Sequence, residues 1–256
     1  MTEPHDWLFL RGLGRESAHW DDFPQSFAQG IPAARVHLID LPGNGRFRHL
    51  DSPVSIREML TFVRREALAA SPLRRPFFLF AISLGGMLAW EWAQSYPEEL
   101  AGLVLVNTSL RGFNPWYRRL APECWTRLAR ILACRDDRRR ERLILDLTAR
   151  PHIATPERLA TRRLIAQRHP VSAGNVVRQL LAAALYRPSP AAPLAPFLLL
   201  NSLGDRMVDP ACSQTISARL GAPLATHPEA GHDLPLDDPL WVIAQIRHWL
   251  DKGNST

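Results

Sequence analysis

Cysteine is scarce in this chain, with three cysteines among 256 residues. Cys124, Cys134 and Cys212 form no Cys-x-x-Cys pair, and their number is odd. This pattern argues against a disulfide framework and against a thiolate zinc site, and it fits a reducing compartment. We therefore expect a cytoplasmic protein that binds no metal.

The sequence also lacks a long uninterrupted apolar run. The longest, residues 76–93, is broken by Ser83, two glycines and Glu91, so it predicts a buried strand followed by a helix and not a membrane span. The N-terminal residues carry two acids and no basic lead before the first apolar run, unlike a secretory signal. With 46% apolar and 22% charged residues, the composition is that of a globular protein.

Lysine is nearly absent, since Lys252 is the single lysine among 31 basic residues. That ratio has no functional meaning by itself, but the distribution of charge is informative. Residues 109–187 hold 17 arginines and six acids, a net charge of +11, whereas the rest of the chain carries −5. A basic segment thus sits on an acidic body, an arrangement that can attract an anionic partner.

The apolar runs predict an α/β fold. They are continuous rather than alternating, which is typical of strands buried on both faces of a parallel sheet between helices. The predicted strands cover residues 7–10, 36–41, 77–82, 100–106, 197–200 and 224–227, and the predicted helices 55–70, 84–96, 210–220 and 238–250.

This alternation breaks between Ser109 and about Pro190, where the sequence is helical, rich in arginine and without a convincing strand. Residues 188–196 hold several prolines and form the return linker. We therefore divide the chain into an α/β core, residues 1–108 and 190–256, and a helical insertion, residues 109–189.

One apolar strand runs directly into Ser83, and a helix begins at the next residue. This order is typical of a nucleophile elbow, a strained turn that lifts a serine hydroxyl above the edge of the sheet. The positions two before and two after the serine must be small, and they are Ala81 and Gly85. Ser202 is a weaker rival, because the large Leu200 precedes it and no helix follows directly. We predict Ser83 as the nucleophile.

A nucleophilic serine needs a base and an acid, expected in the order serine, acid, histidine. Asp205 follows the predicted strand 197–200, and His232 follows the predicted strand 224–227. Because the carboxyl ends of parallel strands open on one side of a sheet, both side chains should emerge beside Ser83. The sequence therefore predicts a catalytic triad of these three residues.

Two nearby residues compete for these roles. Asp209 stands directly before Pro210, where a helix cap is the simpler interpretation. His227 lies within a predicted strand, which favours a place in the core or on the surface.

A second loop, residues 11–14, closes the first strand. Acyl transfer needs two backbone N–H donors for the developing oxyanion. We expect one from Leu84, next to the nucleophile, and one from Leu13, where Gly12 lets the loop approach. Dinucleotide binding is not indicated, because Ser17 stands where a third glycine would be required.

These motifs resemble the α/β-hydrolase family over nearly the whole chain. Residues 10–14 look like its oxyanion loop, residues 40–46 (DLPGNGR) like its D-x-P-G-x-G-x-S turn, and the elbow, acid and histidine blocks follow in order. The family often has histidine where Arg11 stands, and serine where Phe47 stands. Its two usual leading strands are missing, so the resemblance implies a mostly parallel sheet of about six strands.

The helical insertion falls where this family places its cap. Members of similar size that share the DLPGxGR and SLGG blocks are capped carboxylesterases that demethylate an acyl-carrier-bound ester. The resemblance implies an ester substrate, and an acidic carrier would match the basic insertion. Arginines that simply pair along solvated helices are the plainer alternative. Arg11, Trp116 and Trp125 are weak candidates for lining the substrate pocket.

The leading hypothesis is a serine hydrolase that cleaves a small-molecule or carrier-bound carboxylic ester through an acyl-enzyme, without cofactor, metal or membrane. A thioester or C–C bond hydrolase with the same triad stays open, because cap and pocket shape decide the substrate. A non-enzymatic module that binds an anionic partner through the basic insertion also stays open. Nucleic acid is disfavoured as that partner, because no reading motif is present.

Overall fold

The computed structural model describes residues 5–70 and 73–253. Six strands form one sheet in the order β2-β1-β3-β4-β5-β6, and each neighbouring pair is parallel. The strands are β1 (His5–Leu10), β2 (Ala34–Ile39), β3 (Phe77–Ile82), β4 (Leu100–Val106), β5 (Phe197–Ser202) and β6 (Leu224–His227). Helices cover both faces of this sheet, which confirms the predicted fold class.

Strand β3 shows why the apolar runs are continuous. Phe77, Leu79 and Ala81 belong to one buried cluster, whereas Phe78 and Phe80 belong to a second cluster on the opposite face. Successive strand residues point to opposite faces, so a central strand covered on both sides needs apolar residues at every position. Each large side chain buried in this way contributes on the order of 1.5–3 kcal/mol.

Eleven α-helices are present in the described residues. Outside the segment between β4 and β5 they are α1 (Phe23–Gly30), α2 (Ile56–Ala70), α3 (Leu84–Ser95), α9 (Ala211–Leu220), α10 (Leu234–Asp237) and α11 (Pro239–Gly253). Helices α2 and α3 pack together on one face of the sheet, and α1 and α11 pack together on the other.

Helix α1 is missing from the predicted elements. Its eight residues include Pro24 and Gly30, but Pro24 lies in the first turn, where a missing N–H costs nothing. Phe23 and Phe27 are buried against Phe9 in an aromatic cluster of the sheet. Tertiary packing therefore stabilises a helix that its own composition only weakly favours.

Between β4 and β5 the described chain forms helices and no strand: α4 (Trp116–Arg119), α5 (Glu123–Ala133), α6 (Asp137–Thr148), α7 (Pro156–Arg168) and α8 (Ala173–Leu185). This segment contains the predicted helical insertion. Its boundaries as a separate domain stay a prediction, and residues 1–4, 71–72 and 254–256 of the predicted core lie outside the described residues. None of the helices in the described part of the chain is long and apolar enough to cross a bilayer.

Candidate active site

Ser83 occupies the turn between β3 and α3 with a backbone φ of 56° and ψ of −116°. A positive φ is costly for a residue with a Cβ and persists only where the surroundings enforce it. Here the Ser83 N–H donates to the carbonyl of Val106 at 2.9 Å, and the Thr108 hydroxyl donates to the Ser83 carbonyl at 2.8 Å. The end of β4 and the residues that follow it therefore hold the serine in this strained bend.

Glycines surround this bend because the backbone leaves no room for a side chain. A Cβ on Gly85 would lie 2.5 Å from the carbonyl oxygen of Leu10 and 2.7 Å from that of Arg11. A Cβ on Gly12 would lie 3.2 Å from the Cβ of Ser83. The small residues of the elbow thus bring α3 and the loop after β1 together at the serine.

Asp205 and His232 are in direct contact. The Nδ1 of His232 lies 2.7 Å from Oδ2 of Asp205, and both side chains are almost completely buried. The other carboxylate oxygen, Oδ1, accepts the N–H groups of Met207 and Val208 at 2.7 and 3.0 Å. The carboxylate is therefore fixed, and it orients the imidazole so that Nε2 is the ring nitrogen left for proton transfer.

The charge next to His232 changes its proton affinity. Burial alone would lower the pKa of His232, but the carboxylate of Asp205, through its charge and hydrogen bond, raises this pKa above its usual value. Asp233 adds to the rise, and the guanidinium of Arg11 opposes it. A buried imidazole that holds a proton well is suited to accept one from a serine and return it to a leaving group.

Ser83, His232 and Leu13 line one cavity of about 200 Å³. Ser83 and His232 form no hydrogen bond with each other among the described residues, and such contacts are often loose until a substrate binds. Leu84 is the first residue of α3, where backbone N–H groups have no acceptor within the helix. The sequence-predicted residues other than the two tryptophans are thus brought to one end of the sheet.

Apolar side chains form most of the cavity wall away from the serine, and most of them come from the helical insertion. They are Leu128, Ile131, Leu132, Ile144, Leu147, Val171, Val176 and Met207. Polar groups in the wall are paired: Arg15 donates to Glu141 at 2.8 Å, and His169 lies 2.7 Å from Glu16. The cavity therefore offers a mostly apolar surface to a ligand, and these charged side chains of its wall already have partners.

Arg11 lies at this cavity as a paired cation. Its guanidinium donates to both carboxylate oxygens of Asp233, at 3.0 and 2.6 Å, and it stacks 4.5 Å from the ring centre of Trp20. Both members of the pair are buried. The ion pair links the loop after β1 to the residue that follows His232, and sequence reasoning missed Asp233 because its partner is 222 positions away.

The two tryptophans require a correction. Trp116 and Trp125 are 67% and 51% exposed, and neither lines the cavity that Ser83 faces. Their helices point these rings to the outside while Cys124 and Leu128 of α5 turn inward. The expectation that they line a substrate pocket fails, because sequence spacing alone did not reveal which face of each helix is covered.

The rival residues have structural partners. Ser202 lies inside β5, where its N–H and hydroxyl bond the side chain of Asn107. The Asp209 side chain accepts the Ala211 N–H at the start of α9.

The rival base, His227, accepts the N–H groups of Glu229 and Ala230 through Nδ1. Cys124 and Cys212 are poor competing nucleophiles, because burial raises the pKa of Cys124 to about 11 and that of Cys212 to about 12. No cluster of three or more potential metal ligands occurs in the part of the chain that the structure describes.

Residues 7–245 match the model of a family described as the alpha/beta hydrolase family. The chain belongs to the alpha/beta hydrolase family. It is 28% identical over 221 residues to the pimeloyl-[acyl-carrier protein] methyl ester esterase of Stenotrophomonas maltophilia, covering 84% of this chain and 82% of that protein. A putative lipase from Acinetobacter baumannii superposes with a TM-score of 0.78 at 24% identity, over 98% of this chain and 85% of that one.

Another relative, the enzyme of the same name from Edwardsiella ictaluri, is 36% identical over 105 residues. That match covers 41% of this chain and spans only 36% of the relative's length. The similarity to proteins of this name therefore combines one long, weaker match with a shorter, stronger one.

Proposed function

We propose that this alpha/beta hydrolase is a serine esterase with Ser83 as nucleophile, His232 as base and Asp205 as the acid that orients the base. The proposal depends on one observation. His232 contacts the carboxylate of Asp205, which two backbone N–H groups hold in place, and His232 lines the same cavity as Ser83. A serine in a strained elbow beside an oriented imidazole is the arrangement that acyl transfer requires.

In the proposed reaction the Ser83 hydroxyl oxygen attacks the ester carbon while its proton passes to Nε2 of His232. The carbonyl oxygen becomes an oxyanion, which accepts the N–H groups of Leu13 and Leu84. When the oxyanion collapses, the bond to the alcohol oxygen breaks and His232 returns the proton to it. Water then attacks the acyl-enzyme by the same route and releases the acid.

We further propose that the ester is carried by an acidic partner protein. Two relatives are named as esterases of an acyl-carrier-protein substrate. On this chain, several arginines of α5, α6 and the turn between them are exposed and form no ion pair within the described residues: Arg127, Arg130, Arg135, Arg138 and Arg139. Pairing along the helices accounts for Arg140 and Arg142 but leaves this outer set available to an anionic surface.

The direct test of the esterase is Ser83→Ala assayed on p-nitrophenyl butyrate. We expect turnover to fall by at least about a thousandfold, because the nucleophile contributes much of the acceleration in enzymes of this mechanism. A fluorophosphonate should label the wild-type peptide that contains Ser83 and should not label the variant.

Ser202→Ala is the matched control. It should keep the labelling at Ser83 and most of the turnover, because the Asn107 amide that donates to the Ser202 hydroxyl keeps its bonds to the carbonyls of Gly231 and His232. Labelling at Ser202, or full activity in Ser83→Ala, would contradict the proposal.

A further inference from the structure

The segment that carries His232 is held from two sides. On the side of the sheet, the side-chain amide of Asn107, directly after β4, donates to the carbonyls of Gly231 and His232, at 3.2 and 2.9 Å. On the side of the helical insertion, the Asp233 N–H donates to the carbonyl of Thr148 at 2.7 Å. Thr148 is the last residue of α6, so the helical insertion and the sheet core both bind the backbone beside the imidazole.

Asp237 adds a second attachment between the His232 segment and the helical insertion. One of its carboxylate oxygens accepts the Gly231 N–H at 2.6 Å, and its two oxygens accept the Arg150 N–H at 3.0 and 3.2 Å. Arg150 follows the end of α6, and the carboxylate is almost fully buried. One carboxylate therefore bridges the backbone next to His232 and the backbone that leaves α6.

The approach at this bridge is too close for a side chain. A Cβ on Gly231 would lie 2.8 Å from the Thr148 carbonyl oxygen and 3.2 Å from the Cα of Ala149. The backbones of the His232 segment and of the end of α6 thus pack directly together, so a shift of α6 is transmitted to the imidazole. Sequence order gives no sign of this contact, because more than eighty residues separate the two segments.

We propose that Asp237 is a positioning residue for the hydrolytic reaction, which joins the end of α6 to the segment carrying His232 and so keeps the imidazole on Asp205. This inference rests on the proposed function. Asp237 has no contact with the imidazole itself among the described residues. The charged groups that act most on His232 are Asp205, Asp233 and Arg11, so Asp237 works through the backbone.

The test compares Asp237→Asn with Asp238→Asn. In Asp237→Asn the amide oxygen can take the place of the oxygen that accepts the Gly231 N–H, but the amide nitrogen then faces the Arg150 N–H where the 3.0 Å bond was, so the attachment to Arg150 is weakened. We expect kcat per labelled active site to fall about 10- to 100-fold with little change in KM, since a displacement of about 1 Å at a catalytic group has this effect. The acidic limb of kcat/KM should move to lower pH, because the contact with Asp205 that raises the pKa of His232 loosens.

Asp238 is the matched control. It is the next carboxylate in the chain, caps α11 by accepting the Trp241 N–H at 3.0 Å, and contacts His227 rather than the His232 segment. Asp238→Asn should therefore keep kcat within about twofold and leave the acidic limb where it is. Equal kcat and equal pH profiles in the two variants would overturn the inference.

Gly231→Ala provides a second variant that leaves every charge in place. Its Cβ would push the His232 segment away from Thr148, so kcat should fall and the acidic limb should move in the same direction. Gly174→Ala is its control, because that Cβ would meet only the Ser172 hydroxyl at 3.8 Å. If Asp237→Asn fails to fold, an unchanged kcat in Gly231→Ala overturns the inference by itself.

These outcomes are distinct from a failure of the esterase proposal. If Ser83→Ala keeps its activity, the proposed function is wrong. If Ser83→Ala is inactive while Asp237→Asn and Gly231→Ala behave as their controls do, the esterase stands and Asp237 has no positioning role.

Discussion

The sheet core buries apolar side chains on both faces of its central strands, whereas the helical insertion meets the core through smaller apolar clusters together with buried charged pairs and backbone contacts. Three sets of acidic and basic side chains join the segment after β1 to the insertion: Arg15 with Glu141, Glu16 with His169, and Asp21 with Arg158 and Arg162. Apolar burial is non-directional, but a charged pair stabilises only in a narrow geometry. The core therefore sets the fold, and the charged pairs add directional contacts to the apolar clusters that place the insertion over the serine.

The cost of burial is visible in the insertion. Arg162 is 1% exposed, and burial lowers its pKa to about 10, although Asp21 beside it acts in the opposite direction. A guanidinium so buried remains charged at neutral pH and depends on its partner. The comparison predicts three effects of decreasing size. Truncating an apolar side chain of the core should lower the free energy of unfolding most, and breaking a buried charged pair of the insertion should lower it less. Changing the exposed arginines should alter only the reaction with an acidic carrier.

The largest expected effect comes from truncating an aromatic residue in the core. Phe80→Ala removes a ring that is fully buried among Phe9, Phe23 and Trp20, so the free energy of unfolding should fall by about 3–5 kcal/mol. Urea unfolding followed by circular dichroism measures it. Leu164→Ala, at a 65% exposed position of α7, is the control and should change that free energy by about 0.5 kcal/mol or less.

A smaller loss is expected from Glu141→Gln. This change removes the charge that faces Arg15 across the cavity wall, and the glutamine oxygen can still accept one hydrogen bond, so we expect a loss of about 1–3 kcal/mol. Asp146→Asn is the control on the same helix, because its pair with Arg142 is exposed and worth about 0.5 kcal/mol or less. Equal losses of unfolding free energy in the two variants would show that the buried pair of Glu141 stabilises the insertion no more than an exposed pair does.

The smallest effect should appear only with a carrier-linked substrate. Reversing two exposed charges, Arg138→Glu with Arg139→Glu, should lower kcat/KM for an ester on an acidic carrier by about 3- to 10-fold at low salt. Turnover of p-nitrophenyl butyrate should stay unchanged. Arg65→Glu, an exposed site on α2 of the core, is the control. An equal decrease on both substrates would remove the carrier proposal and leave the esterase proposal intact.

Sequence reasoning found the local features of the site and missed the contacts that cross the chain. The elbow at Ser83 was predictable because strand, small residues and helix start are all local. Asp205 and His232 were predictable because strand ends of a parallel sheet share one edge. Asp233 and Asp237 were not marked, since a carboxylate in a loop becomes a partner only when Arg11 or the end of α6 is brought beside it.

The tryptophans show the same limit in the other direction. Trp116 and Trp125 are large and apolar, which favours burial, but α4 and α5 cover only one face each and these rings lie on the open one. In helix α1, packing acted in the opposite sense, because burial of its aromatic side chains stabilised a helix that the local sequence did not predict. Composition gives each residue a tendency, and packing decides which tendency prevails.

The chain's own order of residues determined the parallel sheet, its six strands and the strained turn at Ser83, because these depend on hydrophobic period and on small side chains within a few positions. Only the tertiary structure decided that Arg11 pairs with Asp233, that the insertion lines the cavity, and that Asp237 joins the end of α6 to the backbone beside the imidazole. Those relations depend on backbone and charged groups meeting at about 3 Å across long separations, which no local pattern specifies.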